Sequence, residues 1–97
     1  MQSRDYELMF IINPELGDES ARELADQYRE LLEELGAEIN DVDDWGTRRL
    51  AFPIDEITEG YYSIIEFWGG SEIVDEVDRR MGLDEDIIRF MTIRLPE

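Results

Sequence analysis

Residues 45–54 read Trp-Gly-Thr-Arg-Arg-Leu-Ala-Phe-Pro-Ile, and the way this stretch folds decides how the rest of the chain is arranged. Trp45, Leu50, Phe52 and Ile54 suit a pleated, half-buried surface. Pro53 is tolerated near the end of an edge strand, where its missing N–H costs no ladder bond. The stretch therefore reads as the second half of a strand at a sheet edge. Successive side chains on a strand point to opposite faces, so the adjacent Arg48 and Arg49 look in opposite directions.

Working outward, Ala37 to Ile54 reads as one long strand bent near Asp43-Asp44-Trp45-Gly46, where glycine permits a bulge. Asp55 to Gly60 is expected to turn into a strand over Tyr61 to Trp68. Its two faces carry Tyr61, Ser63, Ile65 and Phe67 against Tyr62, Ile64, Glu66 and Trp68. Arg4 to Ile12 has apolar residues on both faces too, with Tyr6, Leu8, Phe10 and Ile12 opposite Met9 and Ile11, as a central strand requires. Asn13-Pro14 ends it.

Two segments have helical spacing. From Asp18 to Leu35, residues Ala21, Leu24, Ala25, Tyr28, Leu31, Leu32 and Leu35 recur at three- and four-residue steps, with Glu23, Asp26, Arg29, Glu30, Glu33 and Glu34 outside. Ser20 with Glu23 offers a capping box, Asp18 offers an equally good cap, and Gly36 suits the left-handed residue that ends a helix. A second helix is expected to be capped by Ser71, buried through Ile73, Val74, Val77 and Met81, and stopped at Gly82. After an Asp84-Glu85-Asp86 turn, Ile87 to Leu95 reads as the last strand, which Pro96 ends.

The order strand, helix, strand, strand, helix, strand predicts an α+β fold: a ferredoxin-like split βαβ (βαββαβ) arrangement with a four-stranded antiparallel sheet and two helices on one face. Ninety-seven residues fit one such domain, 1–97. Helices on one face leave the other face to expose part of the set Met9, Ile11, Tyr62, Ile64, Trp68 and Met91, according to register. An apolar patch of that kind marks a partner surface. The alternation alone leaves open which parity points inward.

Composition narrows the chemistry. Histidine and cysteine are absent, and all nine basic residues are arginine. The commonest general base and metal ligand is thus missing, along with thiolate zinc sites and disulfides. Ser3, Ser20, Ser63 and Ser71 have no candidate base. The loop after the first strand, Asn13 to Asp18, combines a proline with Glu15 and Asp18, which is unsuited to holding phosphate. Asp41, Asp43, Asp44 and Gly46 begin like a calcium loop, but Trp45 and Phe52 occupy its fifth and twelfth positions. Gly60-Tyr61-Tyr62 follows Glu59 rather than a basic residue, so base stacking on the sheet by an autonomous RNA reader is not expected. The reading is of a protein that is not an enzyme and uses no cofactor or metal. No apolar run reaches membrane-span length and no signal core follows the amino terminus, so a cytoplasmic place is expected.

The net charge is −17, with 26 acidic residues against nine basic ones. Such a surface repels phosphate at long range unless arginines cluster or salt screens the field, whose reach is about 10 Å at 0.1 M. Direct RNA affinity is therefore expected to be weak. The same composition fits adaptation to a salty cytoplasm.

Gly46-x-Arg48-Arg49-Leu50-Ala51-Phe52-Pro53-Ile54, preceded by Tyr6-Glu7 and Asn13-Pro14 and followed by Gly60-Tyr61-Tyr62, resembles the family of the sixth protein of the bacterial small ribosomal subunit. The resemblance runs from about Tyr6 to Arg94, with landmarks in the same order. Thr47 stands where members usually carry lysine, which makes this turn less basic. The resemblance implies a structural constituent of the ribosome that pairs with the eighteenth small-subunit protein, the pair sitting on the central domain of the small-subunit ribosomal RNA. On that basis Arg48 and Arg49 match the family's paired arginines, Arg89 matches the arginine after the Asp-x-x motif that opens the last strand, and Arg4 matches a basic amino-terminal tendency. These four are the expected RNA contacts, with Trp45, Leu50, Phe52 and Tyr62 expected to meet the partner. The alternative is a stand-alone protein-binding or homodimerising module of the same fold.

Overall fold

The edge position expected for residues 45–54 is found in the computed structural model, which describes residues 3–54 and 56–96. The elements are β1 (Ser3–Ile12), a short 3-10 turn (Pro14–Leu16), α1 (Asp18–Glu34), β2 (Glu38–Ile54), β3 (Ile57–Gly70), α2 (Ser71–Leu83) and β4 (Ile87–Arg94). The antiparallel sheet has the order β2-β3-β1-β4. This is the ferredoxin-like arrangement, with β1 and β3 central and β2 and β4 at the edges. Pro53 lies near the end of edge strand β2, where no ladder bond is lost.

Register settles which parity points inward. Leu8 lies opposite Ile65, Phe10 opposite Ser63 and Ile12 opposite Tyr61. These residues form one buried cluster with Ala21, Ala25, Tyr28 and Leu32 of α1 and Ile73, Val77 and Met81 of α2. Ser63 is the polar member of this layer. Its hydroxyl donates to Asp44 Oδ1 at 2.5 Å, so the buried oxygen is satisfied by the edge strand. β2 stays a single strand but carries register shifts between Ile39 and Asp41 and between Asp44 and Gly46. Gly46, at φ 76°, takes the second bend as expected.

Several boundaries differ from the sequence reading, each for a local reason. No capping box forms at Ser20 and Glu23: α1 starts at Asp18 after Gly17, without a side-chain cap. Asp18 is instead in the first turn, where a carboxylate favours the helix dipole, and it accepts a hydrogen bond from the Thr47 hydroxyl at 2.9 Å. Gly36 behaves as expected. At φ 102° it lets Ala37 N donate to Leu32 O and Gly36 N to Glu33 O, closing the helix. Ser71 is not the cap of α2, because the chain is already extended at Gly70 and enters the helix at Ser71. Gly82 does not stop α2 either, since the helix runs on through Leu83 to a cap at Asp84. The hairpin is longer than expected. Ile57 pairs with Ile54, so β3 begins there and not at Tyr61; Asp55 lies outside the described residues. β3 extends to Gly70, and β4 ends one residue early, at Arg94.

Asp78, midway along α2, gives a testable consequence of this packing. Its Oδ1 is buried without a hydrogen-bond partner among the described residues. Burial, aided by the Asp75 charge, raises its pKa, and a hydrogen bond from Thr92 offsets only part of this. A carboxyl that holds its proton more tightly when folded costs stability once ionised, and that cost disappears as pH falls below its ordinary value of 3.8. Asp78→Asn should raise the melting temperature at pH 7, by about a few degrees, the scale of a single favourable substitution in a domain this size. The gain should vanish in scans below about pH 3.8; an equal gain at both pH values would refute the assignment.

Candidate nucleic-acid and protein interface

The face of the sheet turned away from the helices is graded in charge along the strands. Reading across β2, β3, β1 and β4, one row holds Asp41, Glu66, Glu7 and Ile93. The next holds Asp43, Ile64, Met9 and Met91, and the third holds Gly46, Tyr62, Ile11 and Arg89. Beyond them, in the projecting β2–β3 hairpin, Arg48 stands opposite Gly60. The face is therefore acidic at one end, apolar in the middle and cationic at the other.

The apolar middle is solvent-accessible. Met91 in the middle row is 53% exposed, Trp45 at the β2 edge 45%, and Ile93 at the end of the acidic row 42%. Trp45 stacks on Tyr62 with ring centroids 6.0 Å apart and an angle of 20°, and its indole N–H donates to Asp43 Oδ2 at 2.9 Å. That bond fixes the ring as a platform at the β2 edge. Leu50 is buried, not available: it lies over Gly60 beside Ile11, and a Cβ at Gly60 would drive into the Ile11 side chain. Phe52 is 82% exposed on the hairpin, beyond the body of the sheet.

Of the four arginines, the fold brings two to one place. Arg48 and Arg89 share the open face at its hairpin end, flanking Ile11 and Tyr62 from opposite edges, with backbones roughly 15 Å apart at the usual strand spacing. Arg48 folds along its own strand, donating to the Thr47 carbonyl at 3.2 Å. Arg49 points to the helix side, opposite Glu59. Arg4 is half-buried, also on the helix side, at the far end of β1 opposite Gly69, about 24 Å along the strand from Ile11. Ile93 and the acidic row were not singled out from sequence. Nothing local to Ile87–Arg94 signals which of its residues β1 places beside Met9 and Glu7.

Among the described residues there is no cluster of three or more acidic, histidine or cysteine side chains placed to hold a metal. None of their helices is long and apolar enough to cross a membrane. The fold is thus a ferredoxin-like sheet with one bare face, graded in charge, and two guanidinium groups at its end. The family model described as "Ribosomal protein S6" matches residues 5–94. The chain is 42% identical over 91 residues to small ribosomal subunit protein bS6 of Desulforamulus reducens, covering 94% of this chain and 96% of that protein. It is 36% identical over 90 residues to bS6 of Clostridium novyi, covering 93% and 95%. In structure it resembles crystalline 30S ribosomal protein S6 of Thermotoga maritima, with a TM-score of 0.90 and 30% identity over 97% of this chain and 89% of that one. The chain belongs to the ribosomal protein S6 family, whose members are structural constituents of the small ribosomal subunit in the cytoplasm and not enzymes.

Proposed function

We propose that this protein joins the small subunit as half of a heterodimer with the eighteenth small-subunit protein, and that the pair binds the central domain of the ribosomal RNA. The graded face is the observation that supports this reading. Its acidic row and apolar middle fit a basic protein that supplies most of the phosphate neutralisation, leaving Arg48 and Arg89 at the free end to take phosphates themselves. A surface of net charge −17 has little RNA affinity without such a partner.

Recruitment to the RNA separates the two halves of this reading. With the partner present, Arg48→Ala combined with Arg89→Ala should weaken RNA recruitment roughly tenfold, about 1.4 kcal/mol, without changing protein pairing. Arg49→Ala, on the other face, should change recruitment less than twofold, by the same scale. Filter binding at fixed salt checks both. Equal recruitment by the double variant would remove the arginines from the site, and absence of pairing together with clear self-association would favour a homodimerising module instead.

The acidity has its own reading. It adapts the fold to high salt, because nine arginines cannot pair 26 carboxylates one to one and at least seventeen remain uncompensated, the net charge of −17.

A further inference from the structure

The helix layer carries a second surface that the ribosomal reading does not use. A groove of about 320 Å³ runs between α1 and the end of α2, lined by Leu24, Gln27, Tyr28, Leu31, Arg80, Leu83 and Asp84. Its floor is apolar and firm. The Tyr28 hydroxyl donates to Asp84 Oδ2 at 2.7 Å, tying the two helices together, and burial of that phenol raises its pKa, so it stays a neutral donor. Leu83 is 72% exposed at the lip and extends the apolar surface of the groove.

The rim is acidic. Glu23, Glu30 and Glu34 follow one another along α1 beside Gln27 at helical spacing, and all three are exposed. Asp84 and Glu85 close the end of α2. Arg80 is the cation among the lining residues; it shares the Glu76 carboxylate with Arg79 through a 3.1 Å ion pair, so the trio keeps one positive charge against the several carboxylates of the rim. An apolar trough walled by carboxylates repels nucleic acid and complements the opposite charge.

We propose that this groove docks an amphipathic helix of a basic protein, one presenting leucine or isoleucine at i, i+4 and i+7 with lysine or arginine flanking them. The apolar anchors meet Leu24, Leu31 and Leu83, and the cations meet Glu23, Glu34 and Asp84. Because the groove lies on the helix side and the graded face on the other, two basic partners can be held at once. The inference stands independently of the proposed ribosomal pairing.

The test titrates the isotope-labelled chain with a synthetic helix-forming peptide of leucine at i, i+4 and i+7 and lysine elsewhere, at about 0.15 M salt, where exposed charges are screened beyond about 8 Å. Amide shifts should concentrate at Leu24, Leu31 and Leu83. Leu83→Glu should weaken binding at least about tenfold, as should replacing the peptide's leucines by serine, while Met91→Glu on the open face should change it less than about twofold. Glu23→Lys with Glu34→Lys gives a second loss that does not touch the apolar floor. Shifts centred on the open face, a serine peptide that binds equally well, or Leu83→Glu binding within about twofold of the parent would overturn the proposal. So would self-association that Leu83→Glu abolishes, because the groove would then be covered by a second copy.

Discussion

Trp45→Ala should weaken the proposed pairing with a basic small-subunit partner about a hundredfold, close to 3 kcal/mol, while leaving the melting temperature nearly unchanged. Tryptophan contributes this much when a rigid ring in the middle of an interface is fully desolvated on binding, with surrounding contacts excluding water. Trp45 is prepared for that role: it is half-exposed, stacked on Tyr62 and fixed by its hydrogen bond to Asp43, so little rotamer freedom is lost on docking. Its contribution to folding is small, because it lies outside the buried cluster on an edge strand. Titration calorimetry of this variant and the parent against the partner measures the difference. Phe52→Ala is the natural comparison, since Phe52 is more exposed but stands away from the sheet and should matter less. Affinity within twofold of the parent would place the interface elsewhere.

Salt should have the largest effect on the fold itself. Raising it from about 0.01 M to about 1 M shrinks the screening length from about 30 Å to about 3 Å. Neighbouring carboxylates roughly 6 Å apart repel by about 0.7 kcal/mol in water, so a few such contacts relieved together amount to about 2 kcal/mol. That should lift the melting temperature of a domain this size by about 10 °C. Such neighbours are present: Glu30 and Glu34 are one turn apart on α1, and Asp41 and Asp43 share one face of β2. The ion pairs of Arg29 with Glu33 and of Arg79 and Arg80 with Glu76 lie on exposed helix surfaces, where salt weakens them, but such pairs contribute little. A gain that levels off by a few tenths molar is screening alone. One that continues to molar salt and is larger with sulfate than with chloride adds exclusion of salt from the surface. A flat or falling curve would remove the salt-adaptation reading.

Local periodicity carried the architecture because each element announces itself within its own residues. The three- and four-residue spacing from Ala21 to Leu35 can only be a one-sided helix, and the two-faced apolar strands at Leu8–Ile12 and Tyr61–Phe67 had to be central. What sequence could not supply depended on pairing. The inward parity of β1 and β3 follows from register against the helices. The convergence of Arg48 with Arg89 follows from β4 lying on the far side of β1 from β3. The expected contact at Leu50 ran into burial over Gly60, a close approach that no pattern within residues 45–54 encodes. Ser71 and Gly82 suit helix ends by residue type, but the path of the chain through Gly70 and Leu83 moved both boundaries by one residue.

The extra residue that β2 accommodates between Asp44 and Gly46 acts as a phase setter for everything after it. Strand side chains alternate with a period of two, so pairing the same residues without the bulge would set Arg48 opposite Glu59 and carry it underneath, bringing Arg49 to the top. The setting of two β2 residues against Tyr62 alone, more than their identity, determines which guanidinium the molecule shows to the outside.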